Sequence, residues 1–145
     1  MRQRLPAKGQ GYCRVSGRFD NTHPMNVIGP NGDMVGHTGN INAAIVGVEA
    51  VALALARILK AVDEKDAILI VTADHGNADD MIGINKSGEL QIKTAHSLNS
   101  VPFIIYDRNT SYNIKPGSFG LANVAPTIAC LLGLDIPDIW EESMI

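Results

Sequence analysis

NINAAIVGVEAVALALARILKAVDEKDAILIVTADHGN, residues 40–77, runs a helical repeat into a short apolar segment and then into an aspartate–histidine pair. Ile41, Ala44, Ile45, Val48, Val51, Leu55, Ile58, Leu59 and Val62 recur at steps of three and four, the spacing of one face of an amphipathic helix. Asn40 is placed to cap the first turn, and Lys60 lies near the end where the helix dipole favours a cation. Asp63-Glu64-Lys65-Asp66 reads as a solvated turn. Ala67-Ile68-Leu69-Ile70-Val71 is then a continuous aliphatic run, short enough for a strand buried on both faces. A second such run is Val101 to Tyr106. Helix followed by buried strand, twice over, predicts an α/β fold with a mainly parallel sheet flanked by helices.

Outward from this core the signals are punctuation. Asp79-Asp80-Met81 is expected to start a short helix, and Asn85-Lys86-Ser87-Gly88 a turn or hairpin tip. Asn123 is placed to cap a helix that holds Pro126 in its first turn, runs to Leu132 and stops at Gly133. Trp140, in the tail that follows, is expected to pack back on the domain. Towards the N-terminus, Arg2, Arg4, Lys8, Arg14 and Arg18 alternate with Gly, Pro and single apolar residues without periodicity. Residues 1–29 therefore read as a poorly patterned arm, in which Met25 to Ile28 forms at most a short strand, and residues 30–145 as one domain.

Composition removes several classes of function. With 145 residues, 46% of them hydrophobic, the chain suits one globular domain with a real core. A net charge of -3 offers no basic face, so nucleic acid is not expected as a partner. The two cysteines, Cys13 and Cys130, match no zinc or disulfide spacing, which makes a reducing cytoplasm the default. No apolar run is long enough to cross a membrane, and no apolar h-region follows the basic residues as a signal peptide requires.

Three of the four histidines lie in three short stretches rich in small residues, Gly32 to Gly39, Thr72 to Asn77 and Thr94 to Ser97. Asp74-His75 follows a buried strand at its carboxyl end, where α/β sheets present ligands and active sites. Adjacent strand residues face opposite ways, so both can serve one site only where the chain leaves strand geometry, and Gly76 permits that bend. Asp33 and His37 are four apart, a spacing that shares a face on a helix, but Gly32, Gly36 and Gly39 argue for a loop. His96 sits between Ala95 and Ser97 in the loop before the second strand. His23 is given no role. Carboxylates and imidazoles scattered along a chain but able to converge are how proteins hold a catalytic divalent metal. Their mixture suits Mn²⁺ or Zn²⁺ better than Ca²⁺.

Together the motifs are far more specific than singly. Pro-Asn-Gly-Asp-Met-Val-Gly-His-Thr-Gly at Pro30 to Gly39, Thr-Ala-Asp-His-Gly-Asn-Ala at Thr72 to Ala78 and Thr-Ala-His at Thr94 to His96 occur in order, with Val101-Pro102-Phe103 and Ala125-Pro126-Thr127 after them. From about Asn31 to its end the chain resembles the last part of the cofactor-independent phosphoglycerate mutases, of the alkaline phosphatase superfamily.

The resemblance implies a partial alkaline-phosphatase-like domain. It implies Asp33, His37 and His96 as ligands of one manganese ion, and Asp74 and His75 as ligands of a second. It also implies a glycolytic isomerase that interconverts 3-phosphoglycerate and 2-phosphoglycerate through a phosphoserine enzyme, as a cytoplasmic monomer. Members of that family are much longer, and their nucleophilic serine, a further metal-binding aspartate and a substrate-orienting domain precede the part matched here. No serine of this chain, Ser16 and Ser97 included, is therefore assigned as nucleophile. Only the first ion's site is expected to be complete, and the chain alone is expected to be inactive. A half-sheet would also expose strand edges and be prone to self-association. Asn21, His23, Pro24 and Asn26 stand where the resemblance asks for a buried strand, as in foreign sequence joined to a genuine C-terminal piece. The other readings are a metal-dependent phosphatase or sulfatase on the same scaffold, and a non-catalytic metal-binding fragment.

Overall fold

The computed structural model describes residues 13–19, 23–29 and 31–145, so of the arm expected over residues 1–29 the stretches 1–12 and 20–22 lie outside the described residues. In chain order the elements are β1 (Cys13–Phe19), β2 (His23–Gly29), α1 (Asn31–Gly36), α2 (Ile41–Glu64), β3 (Leu69–Thr72), β4 (Ile82–Ile84), β5 (Leu90–Ile92), β6 (Phe103–Tyr106), a 3-10 turn (Leu121–Asn123) and α3 (Val124–Leu131). They divide between two compact units, Met1–Arg108 and Asn109–Ile145. Among the described residues no helix is long and apolar enough to cross a membrane.

In the first unit α2 begins where the sequence places it. The Asn40 side chain accepts the Ala43 N–H at 3.1 Å, satisfying one of the first-turn donors that have no partner within the helix. The helix runs on to Glu64, further than the expected turn at Asp63. Lys60 therefore stands at the (i, i+4) position to Glu64, 4.0 Å away, rather than in the last turn. Asp66, with φ 51°, makes the turn into β3.

Helix and strand meet in a core of Val62, Ala67 and Leu69, on which Leu55, Ile58, Leu59, Val71 and Tyr106 pack. The Tyr106 hydroxyl donates to Asp63 at 2.8 Å, and this hydrogen bond raises the phenol's pKa above its ordinary value. Residues 45–53 of α2 are different: Ile45, Val46, Val48 and Leu53 are exposed although this part of the helix is rich in apolar residues.

The α/β class holds, but the sheet is not parallel. Its order is β2-β1-β3-β6, and each neighbouring pair among the described strands is antiparallel. A parallel neighbour needs a crossover, usually a helix. The chain from β3 to β6 holds the β4–β5 hairpin instead, so β6 returns antiparallel, Leu69 opposite Tyr106. β2 and β3, which α1 and α2 do connect, run the same way, but β1 lies between them. β1 and β2 also correct the arm reading over residues 13–19 and 23–29, of which only Met25 to Ile28 was expected to be strand. Asp79-Asp80-Met81 starts no helix and leads into the hairpin, whose tip is at Asn85 to Gly88 as expected.

In the second unit α3 holds Pro126 in its first turn and stops at Gly133, φ +67°, where Leu134 N–H reaches back to the Ala129 carbonyl at 2.9 Å. Thr127 is fully buried; its hydroxyl donates to the Asn123 carbonyl at 2.7 Å and accepts the Met144 N–H at 2.9 Å. Thr127→Val keeps the shape but leaves that N–H buried without an acceptor, so it should cost about 1–3 kcal/mol in chemical unfolding. Trp140 is 46% exposed, short of the close packing expected of it.

Candidate metal centre

Asp33 and His37 come together by the helical spacing that the glycines argued against. α1 is a short helix rather than a loop, and His37 N–H donates to the Asp33 carbonyl at 3.1 Å, one turn back. Gly36 is there for packing: a Cβ at that position would overlap the Asn77 side chain. Gly39, at φ +69°, then turns the chain towards α2.

Asp74 and His75 lie just past the carboxyl end of β3, where the chain has left strand geometry as their shared direction requires. His96 lies opposite, in the loop before β6, and the Ser97 N–H donates to the Gly76 carbonyl at 2.8 Å. The His75 and His96 rings stack with centroids 3.5 Å apart.

Four of the five expected ligands meet at one buried carboxylate oxygen. Asp33 Oδ1 is 3.3 Å from His37 Nε2, 3.4 Å from His96 Nε2 and 4.0 Å from His75 Nε2, and the Nε2 atoms of His37 and His96 are 3.1 Å apart. Asp74 reaches the cluster through His75, Oδ1 to Nε2 3.7 Å. Asp33, His75 and His96 each offer a ligand atom within 4.8 Å of the others.

The donor set fits a divalent ion. Donors about 2.1 Å from one ion stand roughly 3.0–3.4 Å apart around an octahedron or tetrahedron. The separations among Asp33, His37 and His96, 3.1 to 3.4 Å, have that size. Asp33 is 6% exposed, and despite these contacts neither of its oxygens receives a hydrogen bond of acceptable geometry; His75 Nε2 is also buried without one. Buried polar atoms are rarely left so unless something else satisfies them.

The tautomers agree with this. His37 Nδ1 is 2.6 Å from the Thr94 carbonyl and His75 Nδ1 is 3.2 Å from the Gly76 carbonyl. A carbonyl only accepts, so both Nδ1 atoms carry the proton and both Nε2 atoms present a lone pair to the cluster. A proton between the Nε2 atoms of His37 and His96 is then supplied by His96.

Sequence reasoning missed the residues around the cluster. Asn77 is buried with both amide atoms unpaired. The Asp79 carboxylate accepts from Asn99 Nδ2 at 2.7 Å and from Ser97 Oγ at 2.9 Å. The Asn99 bond, helped by the Ser97 bond, lowers its pKa below the ordinary 3.8 although partial burial works the other way. These contacts persist as pH falls until that lowered value is passed. Beside the cluster opens a cleft of about 360 Å³ with mostly aliphatic walls, Val48, Val51, Val71, Val101 and Pro102 among them.

Comparison with known proteins agrees with the geometry. The model of the metalloenzyme superfamily matches residues 20–136. The chain is similar to 2,3-bisphosphoglycerate-independent phosphoglycerate mutase 1 of Arabidopsis thaliana, 41% identical over 143 residues that take in 90% of this chain and 25% of the relative. It is 40% identical over 125 residues to a probable 2,3-bisphosphoglycerate-independent phosphoglycerate mutase of Leptospira interrogans, 79% of this chain and 23% of that one. The corresponding protein of Trypanosoma brucei brucei is 38% identical over 142 residues, with 90% and 25% covered. The chain thus spans about a quarter of the length of the curated relatives it matches. Because the family match begins at residue 20, the strand β2 falls inside it and is not foreign sequence.

Proposed function

We propose, because the chain belongs to the metalloenzyme superfamily, that it forms the metal-binding quarter of a cofactor-independent phosphoglycerate mutase. The observation that carries this is the buried Asp33 carboxylate, with His37 and His96 at 3.3 and 3.4 Å and no hydrogen bond to either oxygen. In this reading Asp33, His37 and His96 hold one Mn²⁺, while Asp74 and His75 contribute to a second, with Zn²⁺ as the competing metal. Ions held there supply Lewis-acid charge for a transferring phosphoryl group. The chain's own part is to keep the Nδ1 protons of His37 and His75 on backbone carbonyls, so that lone pairs face the cluster, and to hold Asp33 where water is excluded.

The 145-residue chain by itself is inactive in this reading. The serine nearest the ligands, Ser97, already gives its hydroxyl to Asp79, so it is not poised to attack phosphate. The aliphatic cleft beside the cluster suits packed polypeptide better than a phosphate group, which supports a working site completed by further protein. The whole enzyme would act on a small phosphoglycerate in the cytoplasm as a monomer. A chimera in which this chain replaces the matching quarter of the Arabidopsis thaliana relative tests the reading. It should interconvert 3- and 2-phosphoglycerate, and the same chimera with Asp33→Asn should not. Release of inorganic phosphate without isomerisation would favour a hydrolase, and no turnover of either kind a non-catalytic fragment.

A further inference from the structure

His75 follows β3 and His96 precedes β6, and between them the chain makes a separate hairpin. Little backbone ties the two loops together. The Gly76–Ser97 bridge is one link, and Asp79 supplies two more: its Oδ2 takes both the Ser97 hydroxyl, at 2.9 Å, and the Asn99 amide, at 2.7 Å. Ser97 Oγ in turn accepts the Asn99 N–H at 3.3 Å. The approach is so close that a Cβ on Gly76 would overlap Ser97 Oγ and the Asp79 carboxylate. Of the two adjacent acids only Asp79 serves here, since Asp80 pairs with Lys93 at 2.8 Å, beside the hairpin.

We propose that Asp79 is a positioning residue: through Ser97 and Asn99 it clamps the His75 loop to the His96 loop and so sets the metal affinity of the centre. The part about affinity rests on reading the cluster as a metal centre; the part about ring position does not. Stacking alone does not fix where two imidazoles on separate loops stand, so their arrangement has to be held by something outside the rings. A carboxylate that accepts two hydrogen bonds from the facing loop does this without touching the ion. Partners of this kind commonly change metal affinity by about 10–100-fold when removed.

Calorimetric titration of the 145-residue chain with MnCl₂ and NMR of the histidine ring protons in the ion-free chain test it together. Asp79→Ala should weaken Mn²⁺ binding at least about tenfold, and Ser97→Ala, which removes only a hydroxyl, should weaken it in the same direction. The double variant should be no weaker than Asp79→Ala alone, because both cut one link. Asp79→Asn should recover most of the affinity, its amide oxygen standing where Oδ2 stood. In the ion-free chain, both Asp79→Ala and Ser97→Ala should move the His96 ring signals as the stack with His75 opens, and Asp79→Asn should not. A residue of merely structural value would lower thermal stability without this pattern. Unmoved ring signals in Asp79→Ala and Ser97→Ala overturn the clamp whether or not metal binds. Where the wild-type chain binds Mn²⁺, losses of affinity that simply add, or equal affinity in all variants, overturn it as well. A wild-type chain that binds no Mn²⁺ but shows the ring shifts sinks the metal reading and leaves the clamp.

Discussion

Replacing Asp33 by asparagine should abolish tight Mn²⁺ binding while leaving the ion-free chain at least as stable as before. Asp33 is 6% exposed and neither carboxylate oxygen is hydrogen-bonded, so without an ion the fold holds a poorly compensated buried charge. Asparagine has nearly the same shape and no charge, so the fold loses a cost and the ion loses its anionic ligand. The affinity should fall by about a hundredfold or more, beyond what loss of a supporting partner does. Thermal melts without metal should show an unchanged or higher midpoint, the usual trade of stability against function at a site built for a ligand. His96→Ala should abolish binding too, and the wild-type chain should take up about one tight Mn²⁺. Unchanged affinity in either variant would sink the ligand assignment. His37→Ala and His75→Ala then decide which third ligand matters. Loss in the first supports Asp33, His37 and His96 as one ion's set, whereas loss in the second alone supports Asp33, His75 and His96.

The residues of the cluster were legible because residue type and order carry them. The long helix was legible because its repeat and its Asn40 cap are local. What the sequence left unread is what depends on distant partners. Gly36 looked like a loop signal, since glycine in a helix costs about 1 kcal/mol against alanine. It lies within α1 because Asn77, forty-one positions on, occupies the space of its missing side chain. Strand direction was misread for the same reason: aliphatic runs announce strands but not which neighbour each one finds. β1 separates β2 from β3, and its sequence does alternate, Cys13, Val15 and Phe19 against Arg14, Ser16 and Arg18, a local strand signal that the arm reading passed over. Asp79 read as a helix start because nothing local says that Ser97 and Asn99 will face it. The α2 repeat was read correctly as helix, yet only part of its apolar face is covered, so periodicity gave the element and not its burial.

Leu69→Ala and Leu53→Ala should therefore separate by several kcal/mol although both remove the same atoms. Leu69 is 1% exposed at the centre of the cluster with Val62 and Ala67, where truncation leaves a cavity and costs about 2–5 kcal/mol. Leu53, on α2, is 71% exposed and should stay within roughly 0.5 kcal/mol of wild type. Against a total of about 5–15 kcal/mol for an ordinary domain, the first variant stands near the edge of folding. Urea unfolding of both, at two protein concentrations, makes the comparison. Equal losses would mean that the exposed apolar part of α2 is packed in solution, and a concentration-dependent midpoint would identify a second copy as what covers it. A bound ion would link core and site. Leu69 starts β3, the strand whose far end leads to Asp74 and His75, so the Leu69→Ala chain should still assemble the cluster when folded. Mn²⁺ at a hundred times its dissociation constant should then restore about 2.7 kcal/mol, provided the unfolded chain does not bind it. The same addition should restore nothing in Leu69→Ala combined with Asp33→Asn, because that chain has the cavity but no anionic ligand for the ion.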